Sequence, residues 1–440
     1  MMTTTVILEP EAEPVEQALD DFDPAVRRRA LQEVLVGEGA WPTPGAAVNL
    51  HCHTFYSYNV YGFSPTHFAV LARRHGLAVA GIVDFDVLDG LNEFLEASQL
   101  LGLKGVVSLE SRVFVPEFAD LVVNSPGEPG IAYHMGVGFT RVVQHPFLTE
   151  MRAIAQRRIL GMLTRVNSYM HPVELDYDRD VLPLTPNGNA TERHLCVAFE
   201  RKARCVFPEV TGRTAFWRKK LGASLSEGAE LQNLIRTKTL KKGGVGYVQP
   251  DTGAFPSMAE MNRFVLDAGA IPTLAWLDGT TQGEKELDRL LAVGMSAGAA
   301  AVNIIPDRNY TPGVSDSKLR NLYRVTEAAV DHHMPVIVGT EMHAPGNKFV
   351  DDFKTSELAP LVPVFLRGAR IVYAHSILQQ AGFGYLSEWA AGTFTSTKEK
   401  NTFFEEIGRH MRPAATEQMR ELPEDPSPDQ ILRGLAKAPR

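Results

Sequence analysis

Two pairs of potential metal ligands follow short apolar runs in this 440-residue sequence. His51 and His53 stand in VNLHCHTFYS, and Glu341 and His343 stand in VIVGTEMH. Alternate residues of a strand point to the same face, so the two members of each pair can reach one point. Imidazole and carboxylate groups in this arrangement are typical ligands of a divalent cation.

Other polar residues occupy comparable positions at predicted strand ends. Glu110 ends the run VVSLES, His134 precedes or opens HMGVGF, and Asp278 follows IPTLAW. A buried carboxylate beside imidazoles needs a cation or another partner to offset its desolvation. The sequence therefore predicts one or two ions of zinc, manganese or iron. The predicted ligands are His51, His53, Glu110, His134, Glu341 and His343.

Short apolar strands alternate with amphipathic helices along the chain and must position these residues. The predicted strands are AVNLHCHT, LAVAGIVDFD, GVVSLESRVF, HMGVGF, AIPTLAW, AAVNIIP, PVIVGTEMH and ARIVYAHS. Predicted helices between them include SPTHFAVLARRHG, LNEFLEASQLLG, SMAEMNRFVLDAG and SDSKLRNLYRVTEAAVDHH. This pattern is typical of a parallel sheet buried on both faces, and the number of units favours a barrel. In such a barrel the reactive groups lie at the carboxyl ends of the strands.

One long region interrupts this alternation. Residues 146–246 contain helical segments and little strand signal, which predicts a helical insertion that forms a lid over the barrel mouth. The barrel then occupies residues 48–145 and 247–376. Residues 1–47 are predicted to form a helix and a linker, the helix beginning at Pro24 after an Asp23 cap. Residues 377–440 are predicted to form a helical tail.

Composition limits the kinds of partner that this protein can have. The 44 basic and 52 acidic residues give a formal net charge of −8, which argues against a nucleic-acid or anionic-membrane coat. The three cysteines form no CxxC pair, and no run of 18 apolar residues predicts a transmembrane helix. The N-terminus lacks the basic and apolar blocks of a signal peptide. We therefore expect a cytoplasmic protein that acts on a small molecule.

The motifs together resemble those of the PHP (polymerase and histidinol phosphatase) domain superfamily. LHCHTFYS is similar to the first motif of that family, and GIVDFDVLDG stands where the family usually has ITDHDTLDG. VVSLES, YHMGVGF and VIVGTEMHAPG are similar to later motifs. The resemblance implies a distorted (β/α)7 TIM-like barrel, here with a helical insertion, and a metal site that hydrolyses phosphoesters.

The resemblance also implies a division of the ligands. The first metal of the family would be held by His51, His53, Glu110 and Glu341, the last in place of an aspartate. A second metal would share Glu110 and use His134, but Trp276 stands where the family has a histidine, and Asp278 is the possible substitute.

A third metal would need ligands at Asn59, Phe85 and His343, and Phe85 cannot bind a cation. With fewer ions, basic side chains must help to bind an anionic substrate. The predicted substrate-binding residues are Arg308, Lys348 and Arg193, and Lys241 is a further basic candidate. In a hydrolase of the kind that the resemblance implies, the predicted catalytic acid or base groups are His343, Asp278 and His134. Asp84 and Asp86 flank Phe85 and are predicted either to orient a ligand imidazole or to be loop residues.

Two other functions fit the same residues. An amidohydrolase-type barrel also begins with HxH and ends with an acidic residue, although no lysine ends a middle strand here. Alternatively, the replacements at Phe85 and Trp276 favour a catalytically degenerate scaffold that binds a ligand or partner.

Overall fold

The fold is built on a seven-stranded sheet. The structure, a computed structural model, describes residues 14–223, 226–250, 254–310, 316–413 and 422–436. Seven strands in these ranges form one sheet in the order β1 to β7. They are β1 Val48–Cys52, β2 Val79–Phe85, β3 Gly105–Phe114, β4 Ile131–Val137, β5 Ile271–Trp276, β6 Ala301–Ile304 and β7 Val336–Val338.

The sheet curves until its first and last strands meet. Neighbouring strands are parallel except that β4 is antiparallel to both β3 and β5. Past β7, the backbone N–H of Glu341 donates to the carbonyl of His51 at 2.7 Å, and the N–H of His53 donates to the carbonyl of Glu341 at 2.9 Å. The predicted distorted seven-stranded α/β barrel is confirmed.

Close approach of β7 to β1 depends on a glycine. A Cβ at Gly339 would lie 2.3 Å from the backbone nitrogen of His51 and 2.5 Å from Oδ1 of Asn49. Glu341 and Met342 then adopt left-handed backbone conformations, with φ of 63° and 51°. Such conformations cost on the order of 1 kcal/mol each in residues other than glycine, and here they aim Glu341 at the barrel mouth.

Helices cover the sheet and fill the insertion. Before β5 they are α1 Pro14–Ala18, α2 Pro24–Gly37, α3 Pro65–Arg74, α4 Leu91–Leu101, α5 Pro146–Met170, α6 Glu192–Val206, α7 Val210–Leu221, α8 Ala229–Ile235 and α9 Met258–Asp267. After β5 they are α10 Gln282–Lys285, α11 Leu287–Ser296, α12 Pro306–Asn309, α13 Asp316–Asp331, α14 Val362–Gln379, α15 Glu388–Thr393, α16 Thr397–His410 and α17 Pro428–Ala436. The predicted Asp23 cap is confirmed, since its side chain accepts from the N–H of Ala25.

The predicted eighth strand, ARIVYAHS, is wrong. These residues lie inside α14, and the predicted boundary at residues 376–377 therefore cuts this helix. A short apolar run buried on every side gives no period that separates a strand from a helix. A Cβ at Gly368 of α14 would lie 1.9 Å from the carbonyl oxygen of Val336, the first residue of β7. Helix α14 therefore packs against the end of the barrel opposite to the mouth.

The segment Ala359–Gln379 is long and apolar enough to cross a membrane by length and composition alone. Two thirds of its most apolar window is buried inside the fold, and Phe365, Val372 and Leu378 belong to the main core. This burial is the behaviour of a core helix.

The insertion has a hydrophobic core of its own. Helices α5 to α8 lie between β4 and β5, and their buried residues, among them Met162, Phe199 and Trp217, form a cluster separate from that of the barrel. Asn189 joins the two parts, since its amide donates to the carbonyls of Phe85 at 2.8 Å and Tyr56 at 3.1 Å. The insertion is thereby fixed at the barrel mouth.

Candidate metal centre

Three of the predicted metal ligands meet inside the barrel mouth. Nε2 of His51 lies 3.5 Å from Oε2 of Glu110, and Nε2 of His53 lies 3.3 Å from the same oxygen. One potential ligand atom from each of these three residues lies within 4.8 Å of the other two. Among the described residues, this is the group of histidine and acidic side chains that is close enough to hold a metal ion. Burial opposes ionisation of Glu110, but His51 and His53 lower its pKa to about 2, so it is a carboxylate at neutral pH.

The tautomer of His51 follows from its partner. Its Nδ1 lies 2.9 Å from Oδ1 of Asn303, and the amide nitrogen of Asn303 donates to the carbonyl of Ile337 at 3.3 Å. The amide orientation therefore makes Oδ1 the acceptor, and Nδ1 of His51 must carry the proton. Nε2 is then the ring nitrogen left to bind a cation.

The same reasoning fixes His53. Nδ1 of His53 lies 3.1 Å from Oγ of Ser57, whose hydroxyl donates to Oδ1 of Asp84 at 2.6 Å. Ser57 therefore accepts from Nδ1–H, and Nε2 of His53 is also free to ligate. Asp84 thus orients a ligand imidazole through Ser57, which is one of its two predicted roles.

Both Nε2 atoms are buried and face the same carboxylate oxygen of Glu110, and neither makes a hydrogen bond of normal geometry among the described residues. Buried polar atoms of this kind are rare in folded proteins unless an ion or water completes them. Imidazole nitrogens and a carboxylate are ligands of a divalent cation, so the donor set of His51, His53 and Glu110 fits such an ion.

Glu341 and His343 lie beside this group of three. Oε2 of Glu341 lies 3.4 Å from Nδ1 of His343 and accepts from Nη2 of Arg308 at 3.1 Å. The ring of His343 lies 5.3 Å from that of His53. The structure therefore brings five of the six predicted ligands together, but Glu341 is paired with an arginine.

His134 lies outside this arrangement. It faces Ser111 across the antiparallel β3–β4 pair, whereas Glu110 faces Met135, so its side chain lies on the other face of the sheet. Its Nε2 lies 2.5 Å from Oδ1 of Asn262 on α9, and burial lowers its pKa to about 4. This histidine is a neutral packing residue.

Asp278 is also held elsewhere. Its carboxylate accepts from Nζ of Lys318 at 2.7 Å and from the N–H of Thr280 at 3.0 Å. Nearby Trp276 is 2% exposed and lies against Gly279 and Asn321. Neither the tryptophan nor the aspartate reaches the imidazoles, so the structure does not place Asp278 as a substitute ligand.

Two positions that would serve a third metal are occupied by packing groups. The ring of Phe85 stacks on that of His53, with centroids 4.3 Å apart. The amide of Asn59 donates to the carbonyl of His53 at 2.8 Å and its oxygen accepts from Tyr61. Both residues fix the position of His53, and neither of their side chains is available to bind another cation.

A cavity of about 120 Å³ lies over the metal centre, between the barrel and the insertion. His343 and Phe85 lie in the wall nearest to the centre, and Tyr58 and Tyr133 add aromatic surface. The remaining wall is strongly basic, with Arg112, Arg158, Arg193, Arg236 and Lys241.

Acidic side chains balance only part of this charge. Glu192 accepts from Lys241 at 2.7 Å and Arg236 at 3.1 Å, and although burial raises its pKa, these cations lower it to about 2. Glu128 pairs with Arg112 at 3.3 Å and Arg158 at 3.2 Å. Asp86 also lines the cavity, and burial raises its pKa to about 6. Five cationic side chains therefore face at most three carboxylates.

The three predicted substrate-binding residues fall in different places. Arg193 lines the cavity, and Arg308 binds Glu341 beside the metal centre. Lys348 lies 2.8 Å from Asp307 and 2.9 Å from Asp352, and it is not among the residues that line the cavity. Next to Arg193, His194 accepts from the backbone N–H of Thr191, the residue before α6, at 3.0 Å and so completes the cap of this helix.

Arg112 and Arg158 were not predicted from the sequence. Arg112 follows Glu110 by two residues in β3 and therefore shares its face, a signal that the sequence does contain. Arg158 lies on α5, and only the packing of the insertion brings it to the mouth.

These observations define an α/β barrel of seven strands with a buried His–His–Glu centre under a basic cavity. No protein-family model matches the sequence, and no curated protein matches it. An amidohydrolase from Chromobacterium violaceum, with bound sulfate and no metal, is 18% identical at a TM-score of 0.48, covering 70% of this chain and 91% of that chain. A candidate metal-dependent phosphoesterase from Bifidobacterium adolescentis is 19% identical at a TM-score of 0.47, covering 74% of this chain and 98% of that chain. Similarity at this level concerns the fold alone.

Proposed function

We propose that this protein is a metal-dependent hydrolase of the PHP class that cleaves a small phosphoester. The observation that carries the proposal is the convergence of the buried Nε2 atoms of His51 and His53 on one carboxylate oxygen of Glu110. Zinc, manganese and iron all suit this donor set. A divalent cation supplies Lewis acidity and promotes the ionisation of water near neutral pH.

The charge of the cavity supports an anionic substrate. A phosphoryl group accepts several charge-assisted hydrogen bonds, and arginine presents planar, paired donors to it. The excess of cationic over acidic side chains in the wall draws such a group from solvent and holds it next to the metal centre. The aromatic rings of Tyr58 and Tyr133 would contact the organic part of the ester.

His343 is the proposed proton-transfer group. It lines the cavity, it is buried against His53, and its Nδ1 has no hydrogen-bond partner among the described residues. A group in that position can exchange a proton with an ester oxygen bound in the cavity. Asp278 and His134 are bonded to Lys318 and Asn262, and neither lines the cavity, so we assign them no catalytic role.

Metal content and hydrolysis, measured on the same samples, test this function. We expect purified protein to bind about one equivalent of zinc or manganese and to hydrolyse p-nitrophenyl phosphate, and His51→Ala to lose both. His332→Ala, at an exposed position at the end of α13, is the matched control and should retain both.

Other outcomes would favour the alternatives. Metal binding with hydrolysis of amides or lactones but not phosphoesters would favour an amidohydrolase-like enzyme. Metal binding without turnover of any ester or amide would favour a degenerate binding protein. Wild-type protein without bound metal would contradict the proposal altogether.

A further inference from the structure

Arg308 occupies an unusual position for an arginine. It lies on α12, directly after β6, and its Nη2 is 3.1 Å from Oε2 of Glu341 at the edge of the metal centre. The side chain of Glu341 is 8% exposed, whereas that of Arg308 is 39% exposed. The arginine therefore enters from the mouth, and Nη2 at one edge of its guanidinium donates to a buried carboxylate.

The Glu341 carboxylate needs such a partner because it is buried. Its Oε2 accepts from Arg308, which supplies the opposite charge. An isolated carboxylate in this position would be destabilised by the loss of its hydration. The structure thus stabilises a charged glutamate next to the His–His–Glu group.

The family resemblance assigns Glu341 to the first metal and His343 to a third, but here Glu341 lies outside the His–His–Glu group and next to His343, where the two could bind a separate cation. Oε2 of Glu341 and Nδ1 of His343 lie 3.4 Å apart, and both belong to the same wall. However, the described residues around them offer no further ligand. Phe85 stacks on His53, Asn59 is bonded to the backbone, and His134 lies on the opposite face of the sheet.

We propose that the guanidinium of Arg308 takes the place of a second metal ion at Glu341, so that the centre binds one divalent cation on His51, His53 and Glu110. The inference rests on the proposed function, because it assumes that these three residues bind metal. The guanidinium is charged at every accessible pH and leaves Glu341 paired whether or not a metal is bound. Arg308 is thus a positioning residue for Glu341.

Metal stoichiometry tests the inference without reference to activity. Wild-type protein, dialysed against excess manganese and then freed of unbound ion, should contain about one equivalent. Arg308→Met removes the charge at similar length, and the Glu341–His343 pair should then bind a second, weaker equivalent. That second equivalent should disappear in the double variant Arg308→Met/Glu341→Gln, and Arg308→Lys should keep the wild-type value.

Lys348→Met is the matched control. Lys348 is a neighbouring cation at the same end of the barrel, but it pairs with Asp307 and Asp352 and not with Glu341. Its loss should leave the stoichiometry at one. A second equivalent in this variant would show that any lost positive charge has the same effect, and would overturn the specific role of Arg308.

A second variant keeps the inference testable if Arg308→Met does not fold. Glu341→Gln should retain the single equivalent, because Glu341 is then no ligand of it, whereas loss of the ion would overturn the inference. A wild-type value of two equivalents that falls to one in Glu341→Gln would also overturn it, as would a folded Arg308→Met protein with one equivalent. In each of these results the His–His–Glu centre still binds metal, so only the role of Arg308 fails. Wild-type protein with no metal would contradict the proposed function as well.

Discussion

Asn303 and Ser57 contact the two imidazoles of the candidate metal centre at Nδ1, the nitrogen that faces away from Glu110. Each accepts from an Nδ1–H, and each is fixed in turn, Asn303 by the carbonyl of Ile337 and Ser57 by Asp84. The two ligand histidines therefore have a defined tautomer before any cation binds. This arrangement reduces the cost of ordering them when a cation binds.

Replacement of Asn303 should separate this orienting role from ligation. We expect Asn303→Leu to weaken metal affinity about 10- to 100-fold, because Nδ1 of His51 loses its buried acceptor while all three ligands remain. Asn303→Asp retains an oxygen acceptor and should lie much closer to wild type. Competition with a chromogenic chelator measures both constants, and an Asn303→Leu variant with unchanged affinity would contradict the orienting role.

Lys241 and Lys242 provide a matched pair for the basic cavity. Lys241 lines the cavity and pairs with Glu192, whereas Lys242 is exposed and bonds the carbonyl of Gly127. We expect Lys241→Met to raise KM for a phosphoester by about tenfold or more, since a charge-assisted hydrogen bond is worth about 1.5–3 kcal/mol. Lys242→Met should leave KM unchanged in steady-state assays. Equal effects of the two substitutions would show that only general surface charge matters.

Strand pairing decides which predicted site residues are correctly placed. Parallel pairing of β1, β2 and β3 brings His51, Phe85 and Glu110 to one edge, as the alternation of strands and helices predicts. His134 lies on the other face because it pairs with Ser111 while Glu110 pairs with Met135, and nothing in the run HMGVGF specifies that register. The ligands on the parallel strands were thus predictable from the sequence, and the face of His134 was not.

Side chains contributed by the insertion were less accessible to prediction. Lys241 and Arg193 were candidates because they are basic, but their convergence on one cavity depends on how α5 to α8 pack. The pairing of Arg308 with Glu341 depends in the same way on the left-handed backbone at Glu341 and Met342. Neither arrangement follows from the period of a sequence pattern.

The first helices are attached to the barrel through a buried histidine of α3. Nδ1 of His67 lies 2.7 Å from Asp20 and its Nε2 lies 3.2 Å from Glu16 of α1, which also pairs with Arg74 at 2.6 Å. Burial opposes the charged form of His67, but its hydrogen bonds to the two carboxylates outweigh this and raise its pKa to about 9.

This pKa predicts a specific dependence of stability on pH. A histidine whose pKa rises from 6.5 to about 9 on folding contributes fully below pH 6.5 and loses its contribution as the pH rises through about 9. The contribution is on the order of 3 kcal/mol. We therefore expect the free energy of unfolding to fall less steeply between pH 6.5 and 9 in His67→Gln than in wild type. The exposed His332→Gln is the control in the same denaturant titrations, and parallel curves for wild type and His67→Gln would contradict the assignment.

The two main cores of the molecule support different parts of the proposed site. The barrel core surrounds the strands that carry His51, His53 and Glu110, while the insertion core supports the wall with Arg158, Arg193 and Lys241. Contacts between the parts are polar at Asn189 and apolar where Met151 of α5 packs with Ile131 and where Phe147 of α5 stacks on Phe264 of α9. Because the two main cores are nevertheless separate clusters, we expect damage to one of them to affect the two functions unequally.

Phe199 of α6 tests this division because it is fully buried in the insertion core. Truncation of such a residue costs about 3–5 kcal/mol, which we expect to loosen the insertion while the barrel stays folded. Phe199→Ala should therefore keep its equivalent of metal but bind a phosphoester poorly, with KM raised more than metal affinity is lowered. Phe94→Ala makes the same truncation in the barrel core and should weaken metal binding as well. Metal analysis and steady-state kinetics on both variants give the comparison. Parallel loss of both functions in Phe199→Ala would mean that the two cores unfold as one, because the metal centre would then depend on the insertion for its own order.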